Sequence, residues 1–188
     1  MKLITIEGID GAGKSTLVSN LKNEFTEVKF TREPYIKEKM ESNLSELINK
    51  KSELTNMLFY LLDHSIHLEE VIKPNIKNRH IICDRYIDSR IAYQSAIIDK
   101  ISVNYLKEIH SWSIKPDLTI LLDLPPQKSL SRINPEHKFE KQELLERVRE
   151  NYLKIYNDEP DRFFKIDATK DPDSILSECT KRINKELN

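Results

Sequence analysis

The chain has 188 residues, with 30 lysines and arginines against 31 aspartates and glutamates and a formal net charge of −1. This length suits one domain able to bury a core without staples, and the balanced charge argues against a nucleic-acid or membrane-surface binder. No apolar run approaches the roughly 18 residues of a membrane span; the N-terminus enters an apolar strand directly instead of a signal peptide, and Cys83 and Cys179 lack paired spacing, so a soluble, cytoplasmic chain with reduced thiols is expected.

Lys2-Leu3-Ile4-Thr5-Ile6-Glu7 is apolar and β-branched and reads as a buried parallel strand. It runs into Gly8-Ile9-Asp10-Gly11-Ala12-Gly13-Lys14-Ser15, which holds all three glycines of the chain, where average usage would scatter roughly a dozen along this length. The spacing is that of a Gly-x-x-x-x-Gly-Lys-Ser phosphate loop. Its backbone amides are expected to wrap a β-phosphate at a helix N-terminus, with Lys14 reaching the β- and γ-phosphates and the Ser15 hydroxyl ligating Mg²⁺. These residues and Thr16 form the expected ATP-binding loop. Lys14 to Phe25 then places Leu17, Leu21 and Phe25 at four-residue steps, one apolar stripe of a helix.

Val28 to Thr31 is the second strand candidate, leaving through Thr31-Arg32-Glu33-Pro34. Arg32 is a candidate for the phosphate of a second substrate, and Pro34 rigidifies the exit, where a cis bond is allowed. Ser52 to Ile72 predicts the strongest helix, with Leu54, Leu58, Leu61, Leu68 and Ile72 on one face and Phe59, Leu62 and Ile66 beside it. A stripe that broad predicts burial on two sides, the second against another subunit. His80 to Cys83 is the third strand, followed by Asp84-Arg85-Tyr86. Ligands of open α/β sheets bind beyond the carboxyl ends of strands, which places Asp84 to hold Mg²⁺ through water and Arg85 to grip a phosphate oxygen.

Leu118 to Leu122 and Phe163 to Ile166 complete the strand candidates. Between them Arg132 to Lys141 is rich in Lys and His, with Pro135 breaking the preceding helix. Asp171 caps a final helix with Pro172 at its first position and Ile175, Cys179 and Ile183 as inner stripe. Strands alternating with helical material predict an α/β fold. No repeat or linker interrupts it, so residues 1–188 read as a single domain.

The order of motifs resembles thymidylate kinase: Ile6-Glu7-Gly8-Ile9-Asp10-Gly11-Ala12-Gly13-Lys14-Ser15-Thr16, Thr31-Arg32-Glu33-Pro34, Asp84-Arg85-Tyr86 with Asp88-Ser89 and Ala92-Tyr93-Gln94, and Pro116-Asp117-Leu118-Thr119 leading to Leu122-Asp123-Leu124. The resemblance runs to Ile166-Asp167-Ala168, similar to the family's adenine-side loop. It implies a single P-loop nucleotide-kinase domain, a three-layer sandwich with a five-stranded parallel sheet, a short lid near 132–142 for which Arg132 to Lys141 is the candidate, a homodimer through helices on one side of the sheet, and transfer of the ATP γ-phosphate to dTMP with Mg²⁺. It assigns Asp10 and Arg85, assisted by Arg32, to the acceptor's sugar and phosphate, and places Glu33 and Pro34 in the acceptor loop. Tyr60 aligns with the ring stacked on thymine and Tyr93 with the ring crowding the 2′ position, with Ser89 and Gln94 lining that pocket.

Three departures stand out. The family's Asp-Arg is Asp63-His64 here, so Arg90 is expected to supply the missing donor to the base. Gly11 occupies the loop position where some members carry a catalytic arginine, so charge must come from the lid. There Lys138 aligns with a lid arginine, and Arg132 lies along the adenine or reaches the phosphates. The family's Thr-Arg-Glu-Pro is followed by paired glycines, whereas here Tyr35-Ile36-Lys37 follows, so this loop takes another path. A GTP switch is excluded because no glycine follows Gly13 and no Asn-Lys-x-Asp occurs. A kinase of another deoxynucleotide or of a deoxynucleoside is the alternative; the latter requires a carboxylate base, for which Glu7 and Glu33 are the candidates.

Overall fold

The computed structural model describes residues 1–36, 51–132 and 138–187, of which 138–140 as backbone only. Pro135 and the Lys138 side chain, central to the expected lid, lie outside the described residues. Five strands, β1 (Leu3–Glu7), β2 (Lys29–Arg32), β3 (Ile81–Asp84), β4 (Leu118–Asp123) and β5 (Phe163–Asp167), form one sheet in the order β2-β3-β1-β4-β5 with every neighbouring pair parallel. The expected parallel α/β sheet is therefore present. Four strands run one polar residue further than their apolar runs, because the ladder continues through Arg32 opposite Asp84 and Asp123 opposite Asp167.

Among the described residues the α-helices are α1 (Lys14–Glu24), α2 (Glu53–His67), α3 (Lys73–Ile76), α4 (Ile87–Ile97), α5 (Val103–Ile109), α6 (Pro126–Leu130), α7 (Lys138–Asp158) and α8 (Pro172–Leu187), with a π-helical segment, Leu68–Ile72, joining α2 to α3. Side chains alternate across a strand. Ile4, Ile6 and Ile82 share the larger core with Leu17, Val18 and Leu21 of α1 and with Ile175, Cys179 and Ile183 of α8. Leu3, Ile81 and Cys83 point the other way, toward Leu68, Ile72, Tyr86 and Ile87. Asp171 caps α8 by accepting from Ser174 N at 2.9 Å. No helix among the described residues is long and apolar enough to cross a membrane.

One side of α2 is buried within the chain, and the side expected to meet another subunit is open in it. Leu54, Leu58 and Leu62 are each more than half exposed, whereas Met57, Asp63, His64 and His67 are buried. Apolar periodicity alone could not orient this helix, because polar partners on the sheet side take the inner positions.

A second buried polar group crosses the core below β4. Arg162 makes a two-pronged pair with Asp88, both bonds 2.7 Å, and donates at 2.7 Å to Thr119 Oγ1, which lies 2.9 Å from Thr5 Oγ1. The pair ties the start of α4 to β4 and to the entrance of β5. Removing one partner leaves a buried charge unanswered; Arg162→Leu is therefore expected to cost about 3–5 kcal/mol, read as a lower urea midpoint, and an unchanged midpoint would contradict this role.

Candidate active site

β1 ends at a loop whose backbone a side chain would disrupt. Gly8 has φ +143°, and a Cβ there would stand 2.6 Å from Leu122 O on β4. Gly13, at φ +97°, occupies the N-cap of α1 and offers no side chain to the first amides of the helix. Those amides have no intrahelical partner and open onto a cavity of about 680 Å³, whose lining includes Asp10, Gly11, Ala12, Gly13, Lys14, Ser15 and Thr16. Gly8 and Ile9 lie beneath it: Lys14 Nζ donates to their carbonyls at 2.9 and 2.7 Å. Burial, reinforced by Arg85, lowers the Lys14 ammonium to about 7. A polyanion beside it favours the charged form.

The same cavity extends between Arg132 on one side and Ala168, Lys170, Pro172 and Ile175 on the other. Arg132 Nη1 donates to Gly11 O at 3.2 Å, and Ser129 Oγ donates to Asp10 O. Lys170 and Ile175 were not anticipated; they follow β5 where Ala168 marks the turn. Arg32 also lines this cavity.

Asp84 and Ser15 both face the loop cavity. Asp84 Oδ1 is buried and has no hydrogen-bond partner among the described residues, while the neighbouring Arg85 turns to Asp10 at 2.5 Å. An orphaned carboxylate oxygen and a hydroxyl on the lining of one cavity are donors suited to a hard cation such as Mg²⁺. Among the described residues no cluster of three His, Cys, Asp or Glu side chains forms a protein-only metal cage.

Arg85 is the one described non-glycine residue with positive φ, +65°, a backbone that costs an L-residue roughly 1–2 kcal/mol. Its guanidinium donates to Asp10 Oδ1, to Gly8 O at 3.3 Å and to Ser89 Oγ at 3.2 Å, and lies 5.2 Å from the Tyr93 ring centroid. Tyr93 Oη accepts from Asp10 N at 3.0 Å. Beyond this wall is a second cavity of about 350 Å³, lined by Asp10, Glu33, Pro34, Tyr60, Arg85, Tyr86, Ser89, Arg90, Tyr93 and Ile97. Eight of the expected acceptor residues thus meet in one place. Asp10, Glu33 and Arg85 line both cavities.

Two expected contacts are corrected. His64 does not line the second cavity: its ring is fully buried, with Nδ1 on Glu33 Oε1 at 2.7 Å and Nε2 on Ser113 Oγ at 2.8 Å. Gln94 faces a small void of about 10 Å³ behind Tyr60 and Arg90 instead. The Glu33–Pro34 peptide is cis.

Glu33 is the centre of a buried charge network that sequence reasoning missed. His67 Nδ1 lies 2.8 Å from Oε1, and Arg90 Nε donates to Oε2 at 2.8 Å. Arg90 Nη2 donates to Asp63 Oδ2 at 2.7 Å, and Asp63 also accepts Tyr35 N at 3.0 Å and Ile36 N at 2.7 Å. Burial alone would raise the Glu33 carboxyl, but Arg90 and the two imidazoles hold it well below the usual carboxylate range. A carboxylate only accepts, so each Nδ1 carries a hydrogen. The Arg90 side chain is 7 % exposed, lies over the Tyr60 ring at 5.7 Å, bonds through Nε and Nη2 but not Nη1 among the described residues, and lines the second cavity.

The thymidylate kinase family model matches residues 6–179. A probable thymidylate kinase of Methanoculleus marisnigri is 42 % identical over 176 residues, 88 % of this chain and 86 % of the relative. One of Methanosarcina barkeri is 40 % identical over 97 % of this chain and 95 % of the relative, and one of Natronomonas pharaonis is 35 % identical over 99 % of each. The phosphate loop at the exit of β1, the Asp84-Arg85 exit of β3 and likeness along nearly the whole length agree: the chain belongs to the thymidylate kinase family.

Proposed function

We propose that this kinase transfers the γ-phosphate of ATP to dTMP, yielding dTDP, and that the wall shared by the two cavities is where transfer occurs. The observation that carries the reading is that Asp10, Glu33 and Arg85 line both the phosphate-loop cavity and its neighbour. ATP enters the first, with its polyphosphate along Gly11 to Thr16 and under Lys14, and its adenine between Arg132 and Ala168. dTMP enters the second, its phosphate at Arg85 and within the field of Arg32, its sugar beside Asp10 and Tyr93, its base between Tyr60 and Arg90. Ser15 and Asp84 would hold Mg²⁺, which when bound offsets charge on the phosphate oxygens.

The acceptor phosphate is largely dianionic at neutral pH, its second pKa being near 6, so no general base is required. Catalysis then consists of alignment and charge stabilisation, supplied in this chain by Lys14, Arg85 and Arg132, with Lys138 the expected lid cation. A deoxynucleoside acceptor is disfavoured by the state of the two candidate bases. Glu33 is occupied by Arg90, His64 and His67. Glu7 is fully buried and lines neither cavity. With no arginine at His64, the Arg90 Nη1 hydrogens are the proposed donors to the base.

We also infer that a second copy covers the leucine stripe of α2. Leu54, Leu58 and Leu62 stand at four-residue steps with more than half of each exposed, and an apolar row of this kind is a common contact surface. Sedimentation equilibrium should give the mass of two chains and, for Leu58→Glu, of one; a wild-type monomer would remove this part of the reading.

A coupled ADP-release assay across dTMP, dUMP, UMP, dCMP and thymidine tests the function directly. Turnover should be highest with dTMP, about fourfold lower in kcat/KM with dUMP for the lost methyl, lower again with UMP and dCMP, and absent with thymidine. Preference for thymidine or for a ribonucleotide would overturn the assignment. Arg90→Ala should raise KM for dTMP about tenfold with KM for ATP as the internal control; an unchanged KM for dTMP removes Arg90 from base reading.

A further inference from the structure

Glu7, the last residue of β1, touches neither cavity, yet three donors converge on its carboxyl. Tyr86 N donates to Oε1 at 2.8 Å, while Ser89 Oγ and Tyr152 Oη, the latter at 3.1 Å, meet Oε2. Ser89 Oγ also accepts from Arg85 Nη1 at 3.2 Å and lies 2.8 Å from Tyr152 Oη. The residue enclosed by these bonds is Arg85, with its left-handed backbone. The peptide that follows Arg85 is held by Oε1, and one arm of its guanidinium is held through Ser89 by Oε2.

We propose that Glu7 is a positioning residue for phosphoryl transfer that acts through Arg85, and that Tyr152, from the middle of α7, completes the hydrogen bonds that keep Glu7 and Ser89 in place. The proposal rests on the reading above, in which Arg85 faces the acceptor phosphate. A backbone that does not favour φ +65° needs an outside constraint to stay there, and Glu7 supplies one from directly beneath. The carboxyl also fits its three donors in either protonation state. Ionised, it accepts all three. Neutral, its carbonyl oxygen still accepts Tyr86 N while its own hydrogen goes to Ser89 or Tyr152, whose hydroxyls can turn to accept. Burial, reinforced by the nearby Asp88, raises this carboxyl to about 8, which favours the neutral form near pH 7.

Glutamine has the shape of that neutral form, one carbonyl and one donor, and is the conservative replacement; leucine keeps comparable bulk with neither. Glu7→Gln is expected to stay within about threefold of wild type in kcat/KM for dTMP. Glu7→Leu should lose about a hundredfold, the scale of a misplaced catalytic contact, with KM for ATP within twofold. Tyr152→Phe, which removes one hydroxyl and keeps the ring in the core, should lose about fivefold and serves as the test if Glu7→Leu does not fold by thermal melting.

The decisive comparison repeats Glu7→Leu and Tyr152→Phe in an Arg85→Lys background, where action through Arg85 predicts little further loss. Undiminished losses in that background, losses falling on KM for ATP, or wild-type kcat/KM for dTMP in folded Glu7→Leu or Tyr152→Phe would each overturn the proposal. If the wild type instead turns over another nucleotide and not dTMP, the acceptor assignment fails on its own, and the same cycle on that nucleotide still decides the role of Glu7.

Discussion

The ion pair between Arg85 and Asp10, 2.5 Å long, is the contact on which the site depends, because it closes the wall shared by the two cavities. Its residues are 75 apart in sequence and meet because β3 is the neighbour of β1 in the sheet, with Ile6 in register with Asp84. Residues leaving two adjacent parallel strands at the same end are brought together without any long excursion of the chain. The cost is local. Arg85 must take a backbone conformation that an L-residue resists, and it is kept there by Ile6 O on its amide at 3.0 Å, Cys83 Sγ on its carbonyl at 3.0 Å and Glu7 on the next peptide.

Around Glu33 the chain assembles charge where an apolar contact would be simpler. Arg90, Asp63, His64 and His67 are all nearly or completely buried, and such a group carries a large desolvation cost that only complete pairing offsets. The pairing here reaches the backbone. Asp63 accepts the amides of Tyr35 and Ile36, so a carboxylate on α2 holds the loop that follows Pro34. Tyr35 adds a stack on His67, ring centroids 5.0 Å apart. Tyr35 and His64 thus join one network between loop and helix, and Arg90 occupies its edge facing the cavity.

The phosphate loop, the five strands and the final helix could be read from sequence because each depends on local chemistry: fixed glycine spacing, apolar runs, and Asp171-Pro172 at a helix start. Asp84 and Arg85 were legible because strand exits in parallel sheets converge. The inner face of α2 was not. Its leucines at 54, 58 and 62 outweighed Asp63, His64 and His67 by hydrophobicity, and the partners that bury those polar groups come from β2 and α4, distant in sequence. The contact between Glu7 and Tyr152 was hidden for the same reason: nothing near Tyr152 in sequence says that its hydroxyl ends 3.1 Å from a carboxylate 145 residues away. His64 read as a weakened base contact by resemblance, yet its ring, on α2, is bonded to Glu33 and Ser113.

The central claim is that donor and acceptor phosphates meet at the Arg85–Asp10 wall. A crystal structure with a dinucleotide in which adenosine and thymidine are joined 5′ to 5′ by a polyphosphate chain addresses it most directly. The account predicts adenine beside Arg132 and Ala168, thymine against Tyr60 within reach of Arg90, and a phosphate chain running from the amides of Gly13 to Thr16 onto the Arg85 guanidinium. Thymidine seated outside the second cavity, or Arg85 without contact to any phosphate, would contradict it.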